Sequence, residues 1–119
     1  MKIAITSTDG TLDGMVDERF GRAKKIVIVD IDGNDQETVD NVQNVNAAQG
    51  AGIQTAQNII NAGAKAVISG HLGPNAFRVV SAAGIDVFAA SKMTVREALD
   101  LYKNGKLSKL AGADVEGHW

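Results

Sequence analysis

The chain has no cysteine and a single proline, and only 4% of its residues are aromatic. Without cysteine there are no disulfides, no thiolate ligands for a metal and no cysteine nucleophile. That composition suits a reducing compartment, and a cytoplasmic location is expected. Long hydrophobic runs are missing too. None approaches the ~20 residues that a membrane-spanning helix needs, so no membrane partner is expected. At the start, "MKIAITSTDG", the apolar run meets Thr6, Ser7 and Asp9 too early for a signal peptide. Positive charge is not in excess. A net charge of −2 argues against a general nucleic-acid binder.

What is present is enough for one domain. The chain has 119 residues, 45% of them hydrophobic, and folding at this size buries roughly two-thirds of the unfolded surface. Strands and helices alternate along it. "KIAIT" (Lys2–Thr6) reads as a short strand, followed by a loop with turn signals at Asp9-Gly10 and Asp13-Gly14. "KKIVIVDI" (Lys24–Ile31) is nearly continuously apolar and β-branched, as a central strand should be. Asp32-Gly33 reads as a hairpin turn. The return strand, about Glu37–Val45, alternates poorly, which predicts a bulge or an edge position.

Gly63, Gly84 and Gly105 recur at one fixed interval, each closing a helical pattern as "NAG", "AAG" and "KNG". Glycine enters the left-handed conformation just past a helix end without a Cβ clash. The first helix, about Ala51–Ala62, places Ile53, Ala56 and Ile60 on one face. The second opens at Pro74, which suits a first helical turn, and turns Phe77, Val80 and Ala83 to the core. The third opens with the capping box Thr94-Val95-Arg96-Glu97. The order β-β-β-α-β-α-β-α predicts an α/β domain with a mixed five-stranded sheet flanked by three helices. Residues 1–110 form the expected domain. The aperiodic segment 111–119, with His118, is expected to be a flexible tail.

Six short stretches carry a resemblance: "STDG" (Ser7–Gly10), "RFGRA" (Arg19–Ala23), "GAGI" (Gly50–Ile53), "GHLGPNAF" (Gly70–Phe77), "GIDVF" (Gly84–Phe88) and "TVREAL" (Thr94–Leu99). In their order and spacing the chain resembles the dinitrogenase iron–molybdenum cofactor biosynthesis family, the NifX-like accessory domain, from Met1 to about Leu110. The resemblance implies a ribonuclease-H-like fold. It also implies binding or carrying an iron–sulfur cluster or an iron–molybdenum cofactor precursor rather than catalysis. The family's loop often reads His-Phe-Gly, whereas this chain has Arg19-Phe20-Gly21. Arginine stays protonated and does not ligate iron, so Arg19 would hold an anionic cluster by charge and hydrogen bonds.

The residues themselves suggest a site before the second helix. Gly70 and Gly73 flank His71 and would clear space beside helix N–H groups that lack intrahelical partners. Ligands of open α/β sheets favour the C-terminal ends of strands. "QGAGI" before the first helix has the same design, and two such starts suit an anion cradle. Glycines used only for tight strand-to-helix turns explain both loops equally well. His71 is the one candidate metal ligand, though a lone histidine also suits a hydrogen-bonding or surface role. Arg19, Arg22, Lys24 and Lys25 form the dense basic run. It reads either as a solvated loop or, for Arg19 and Arg22, as part of a binding site. Phe20 reads as a core anchor. The expected anion pocket therefore joins Arg19, Arg22, His71, Gly73 and Asn75.

Enzymatic readings find no support. A ribonuclease-H-like nuclease needs carboxylates on its central strand, first helix and fourth strand to hold two metal ions. "GIQTAQNIINA" and "AVISGHLG" have none. "GTLDGM" lacks the Lys-Ser/Thr ending of a phosphate loop. Ser69 lies near His71, but no Gly-x-Ser-x-Gly elbow is present. Two functions remain open. One is a non-catalytic carrier or accessory domain for an anionic metal cluster or cofactor precursor. The other is a regulatory small-molecule-binding or protein-interaction module that binds no cluster.

Overall fold

The computed structural model describes residues 1–33, 35–41 and 51–110. β1 (Lys2–Ser7), β2 (Lys25–Asp30) and β3 (Asp35–Asp40) form an antiparallel meander. α1 (Ala51–Asn61), β4 (Ala64–Ser69), α2 (Pro74–Ala82), β5 (Asp86–Ala89) and α3 (Val95–Lys103) follow, and β6 (Ser108–Lys109) ends the sheet. The strand order is β3-β2-β1-β4-β5-β6. β1, β4 and β5 are mutually parallel, and β6 pairs antiparallel with β5.

The sheet thus has six strands, not the five expected. β6 is only two residues long, Ser108 and Lys109, both exposed. It has no apolar alternation to betray it. Hydrogen-bonded pairing with the β5 edge holds it, and Lys109 Nζ lies 3.0 Å from Asp86 Oδ1. Leu110 continues the pairing by donating its N–H to Val87 O at 2.8 Å. The return strand is an edge strand as anticipated, but it ends at Asp40. Residues 42–45 of its expected span, the "QGAGI" glycine Gly50 and the tail 111–119 with His118 lie outside the described residues.

Period-two alternation along the strands builds two cores. Ala4, Ile26, Ile28 and Val67 face α1 and α2, packing on Ala56, Ile59, Ala76 and Val80. Ile3, Ile5, Val27 and Ile68 face the other way, onto Val95, Ala98 and Leu99 of α3. Ile59 is the fully buried anchor of α1, while Ile60 is only partly buried. On α2 the buried residues are Ala76 and Val80, and Ala83 is exposed. Ala83 falls on the helix C-cap, where the apolar face has already turned away. Gly63, Gly84 and Gly105 take positive φ angles of 82°, 76° and 68°, as helix-ending glycines do. The Thr94–Glu97 capping box is present in full.

Two parallel strands, β1 and β4, lie at the centre of the sheet, and their C-terminal ends open onto the same edge. α2 starts from that edge, directly after β4. Loops leaving neighbouring parallel strands at one end are brought together there.

Candidate functional site

The segment after β1 does not arch away from the sheet. It returns and adds itself beside the loop that follows β4. Asp17 N–H donates to Thr6 O at 2.9 Å, and the Thr6 hydroxyl donates back to Asp17 O at 2.8 Å. His71 N–H then donates to Glu18 O at 2.8 Å, and Phe20 N–H donates to His71 O at 3.2 Å. These bonds make Arg19 and His71 a parallel bridge. Residues 52 positions apart in the chain become neighbours, and main-chain groups hold them there.

Gly70 makes this approach possible. A Cβ at Gly70 would lie 2.5 Å from Glu18 Cα and 2.6 Å from Glu18 O, which are backbone atoms with no room to give. The expectation that Gly70 clears space for a ligand is therefore corrected: the Glu18 backbone fills that space. Gly73 is the N-cap of α2, and Pro74 follows at the first helical position. Gly73 has no side chain, so this helix start has no side-chain cap. The start of α3 is arranged differently. Thr94 caps it, and the N–H groups of Val95 and Arg96 donate to Gly14 O at 2.9 Å and Leu12 O at 2.8 Å.

Phe20 is fully buried, as expected of an anchor, and heads a single 3-10 turn, Phe20–Arg22. That turn brings Arg22 N–H to Arg19 O at 3.0 Å, with the Arg22 side chain exposed. The Arg19 side chain is 56% exposed, His71 is half-buried, and Asn75 is exposed in the first turn of α2. Arg19, His71, Gly73 and Asn75 thus share one edge, and Arg22 lies one turn beyond Arg19. Lys25 is drawn away into an ion pair with Asp40. Among the described residues no group of three His, Cys, Asp or Glu side chains is placed to hold a metal ion.

Ser69 is fully buried and structural. Its hydroxyl oxygen lies 2.7 Å from Thr6 Oγ1 and 3.4 Å from Asp17 O. Asp17 was not foreseen from sequence. Its side chain is 8% exposed, and Oδ1 accepts the Arg19 N–H at 3.0 Å. The only hint in the sequence is an aspartate two residues before an arginine, the spacing of a turn in which Asp bonds its own backbone two residues on.

A mixed sheet whose central parallel strands end under an arginine-bearing loop, a histidine and a helix start without a side-chain cap defines a small α/β fold with a polar edge at the ends of β1 and β4. By sequence the chain belongs to the dinitrogenase iron-molybdenum cofactor family, whose model matches residues 1–105. It is 39% identical to the orange protein of Desulfovibrio gigas, solved in its apo form. That match covers 96% of each chain with a TM-score of 0.90. A Thermotoga protein solved by NMR, described as a candidate NifB protein of the DUF35 family, is 33% identical. It matches over 98% of each chain with a TM-score of 0.82. An uncharacterized protein of Methanocaldococcus jannaschii is 33% identical over 92% of this chain and 91% of its own length.

Proposed function

We propose that the chain is a non-catalytic carrier or accessory domain for an anionic metal cluster or an iron–molybdenum cofactor precursor, held at the β1–β4 edge. The observation that carries this reading is the main-chain bridge between Arg19 and His71 beside the start of α2. In the proposed site Arg19 and Arg22 supply charge, and Gly73 and Asn75 supply helix-start amides. His71 is the one residue there suited to a direct metal bond. Dipole and charge effects at an exposed helix end contribute only about 0.3–1 kcal/mol each. Several must therefore act on one multiply charged ligand.

Family membership favours cofactor traffic over turnover. The neighbouring orange protein, described as an apo form, implies a group that such a fold can hold and give up. The order β3-β2-β1-β4-β5 with β2 antiparallel supports reading the fold as ribonuclease-H-like. The cysteine-free composition fits the cytoplasm. No described helix is long and apolar enough to cross a membrane.

A second reading, a regulatory module that binds a small molecule or a protein and no cluster, is favoured by one specific feature. Arg19 stands where a histidine is common in the family, so that position offers charge without a metal bond. Anaerobic reconstitution with iron and sulfide separates the two. Iron and visible absorption that stay with the protein through gel filtration support the carrier. Protein that emerges colourless, and that also takes up no molybdate, supports the regulatory module.

A further inference from the structure

Asp17 is the one buried carboxylate among the described residues, and both of its main-chain groups are committed. The Asp17 N–H donates to Thr6 O, while its carbonyl accepts from the Thr6 and Ser69 hydroxyls. These bonds fix its main chain, and the side chain is buried, only 8% exposed. It points along its own turn, where Oδ1 accepts the Arg19 N–H at 3.0 Å and lies 3.7 Å from Arg19 Nε. The Arg19 guanidinium is the exposed member of this pair, and the carboxylate is the buried one.

We propose that Asp17 is the built-in counter-charge of Arg19. It positions the arginine in the empty protein and competes with an incoming anion for the guanidinium, which keeps bound cargo releasable. This inference rests on the anion-carrier reading of the same edge. Two opposed effects reside in one side chain. The hydrogen bond to the Arg19 N–H holds the residue beside His71 and favours binding. The negative charge screens the guanidinium in the free protein and repels an anion once it arrives. Arginine has five donors, so contact at Nε leaves others to meet an oxyanion or a sulfide-rich cluster. The pair is partly exposed, so its charge is worth only about two- to fivefold in a binding constant.

The two effects separate by substitution. Asp17→Asn keeps an oxygen that can accept the Arg19 N–H and removes the charge. Asp17→Ala removes both. Titrating molybdate into each protein at low salt should give about two- to fivefold tighter binding for Asp17→Asn than for wild type, and weaker binding for Asp17→Ala. Equal losses in both variants, or no change in either, would show Asp17 to be purely structural and overturn the proposal. A second measurement needs no ligand. In the empty protein, the 15N–1H signal of the Arg19 side-chain Nε should shift in Asp17→Asn. An unmoved signal would overturn the pairing even if molybdate binds. If wild type takes up no molybdate and retains no iron–sulfide chromophore, yet the Arg19 signal shifts, the carrier reading fails while the pairing stands, and Asp17's role as competitor is overturned with the carrier.

Discussion

Arg19 and His71 are joined by main chain, not by their side chains. The Arg19 position is reached through two backbone hydrogen bonds to His71, one donated by His71 to Glu18 and one accepted from Phe20. Their side chains can therefore be changed without dismantling the edge that presents them. Arg19→Ala should leave the thermal midpoint nearly unchanged, because exposed substitutions usually alter stability by no more than ~0.5 kcal/mol, and His71→Ala, at a half-buried position, should lower it by no more than a few degrees. A calorimetric scan of each variant checks this. A drop of many degrees would show that the side chains hold the loop.

Gly70→Ala should do the reverse. The added Cβ would strike the Glu18 backbone, and forcing such a contact costs about 1–3 kcal/mol. Denaturant unfolding should show this loss. Anion uptake should fall with it, because the 17–20 segment must shift off His71. A variant of unchanged stability would mean that the two loops separate easily.

Phe20→Ala should cost about 3–5 kcal/mol, since the ring is fully buried in the core beneath α1 and α2. Thr94→Ala should cost only ~1 kcal/mol through loss of the α3 cap, and it should leave anion uptake intact. Comparing the two by urea titration, with molybdate uptake as the second readout, tests whether the site depends on the face that carries α1 and α2.

The loop before the bridge has its own acid dependence. The Asp9 carboxyl lies below the usual carboxylate range because the Thr11 N–H and hydroxyl both donate to Oδ1, each at 2.9 Å. A depressed carboxyl contributes stability that is fully present above its unfolded value and is lost as the pH falls through its folded value. An NMR titration of Asp9 should place its midpoint below that of an exposed aspartate. Thr11→Val should bring it part of the way back.

The parts of the fold that sequence foretold are those with local causes. Glycine after a helix, proline at a helix start and the Thr94–Glu97 box each act within a few residues, and each appears where the pattern places it. β6 was hidden because two exposed polar residues carry no pattern. They become a strand only where the β5 edge is there to pair with them. The candidate site divides in the same way. Arg19, His71 and the start of α2 stand out by residue type. Their adjacency depends on the parallel pairing of β1 with β4, which no local motif records. Gly70 was assigned to the ligand because its true neighbour, Glu18, is far away in the chain. Asp17 was passed over because its role appears only once burial is known.

The most direct test of the shared edge is an amide-detected NMR titration with molybdate at low ionic strength. The amide signals of Arg19, Arg22, His71, Gly73 and Asn75 should move together along one binding curve. The curve should weaken as salt is added, since exposed charges are screened. Shifts confined to another surface, or Arg19 and Gly73 moving along different curves, would contradict a single anion site at this edge.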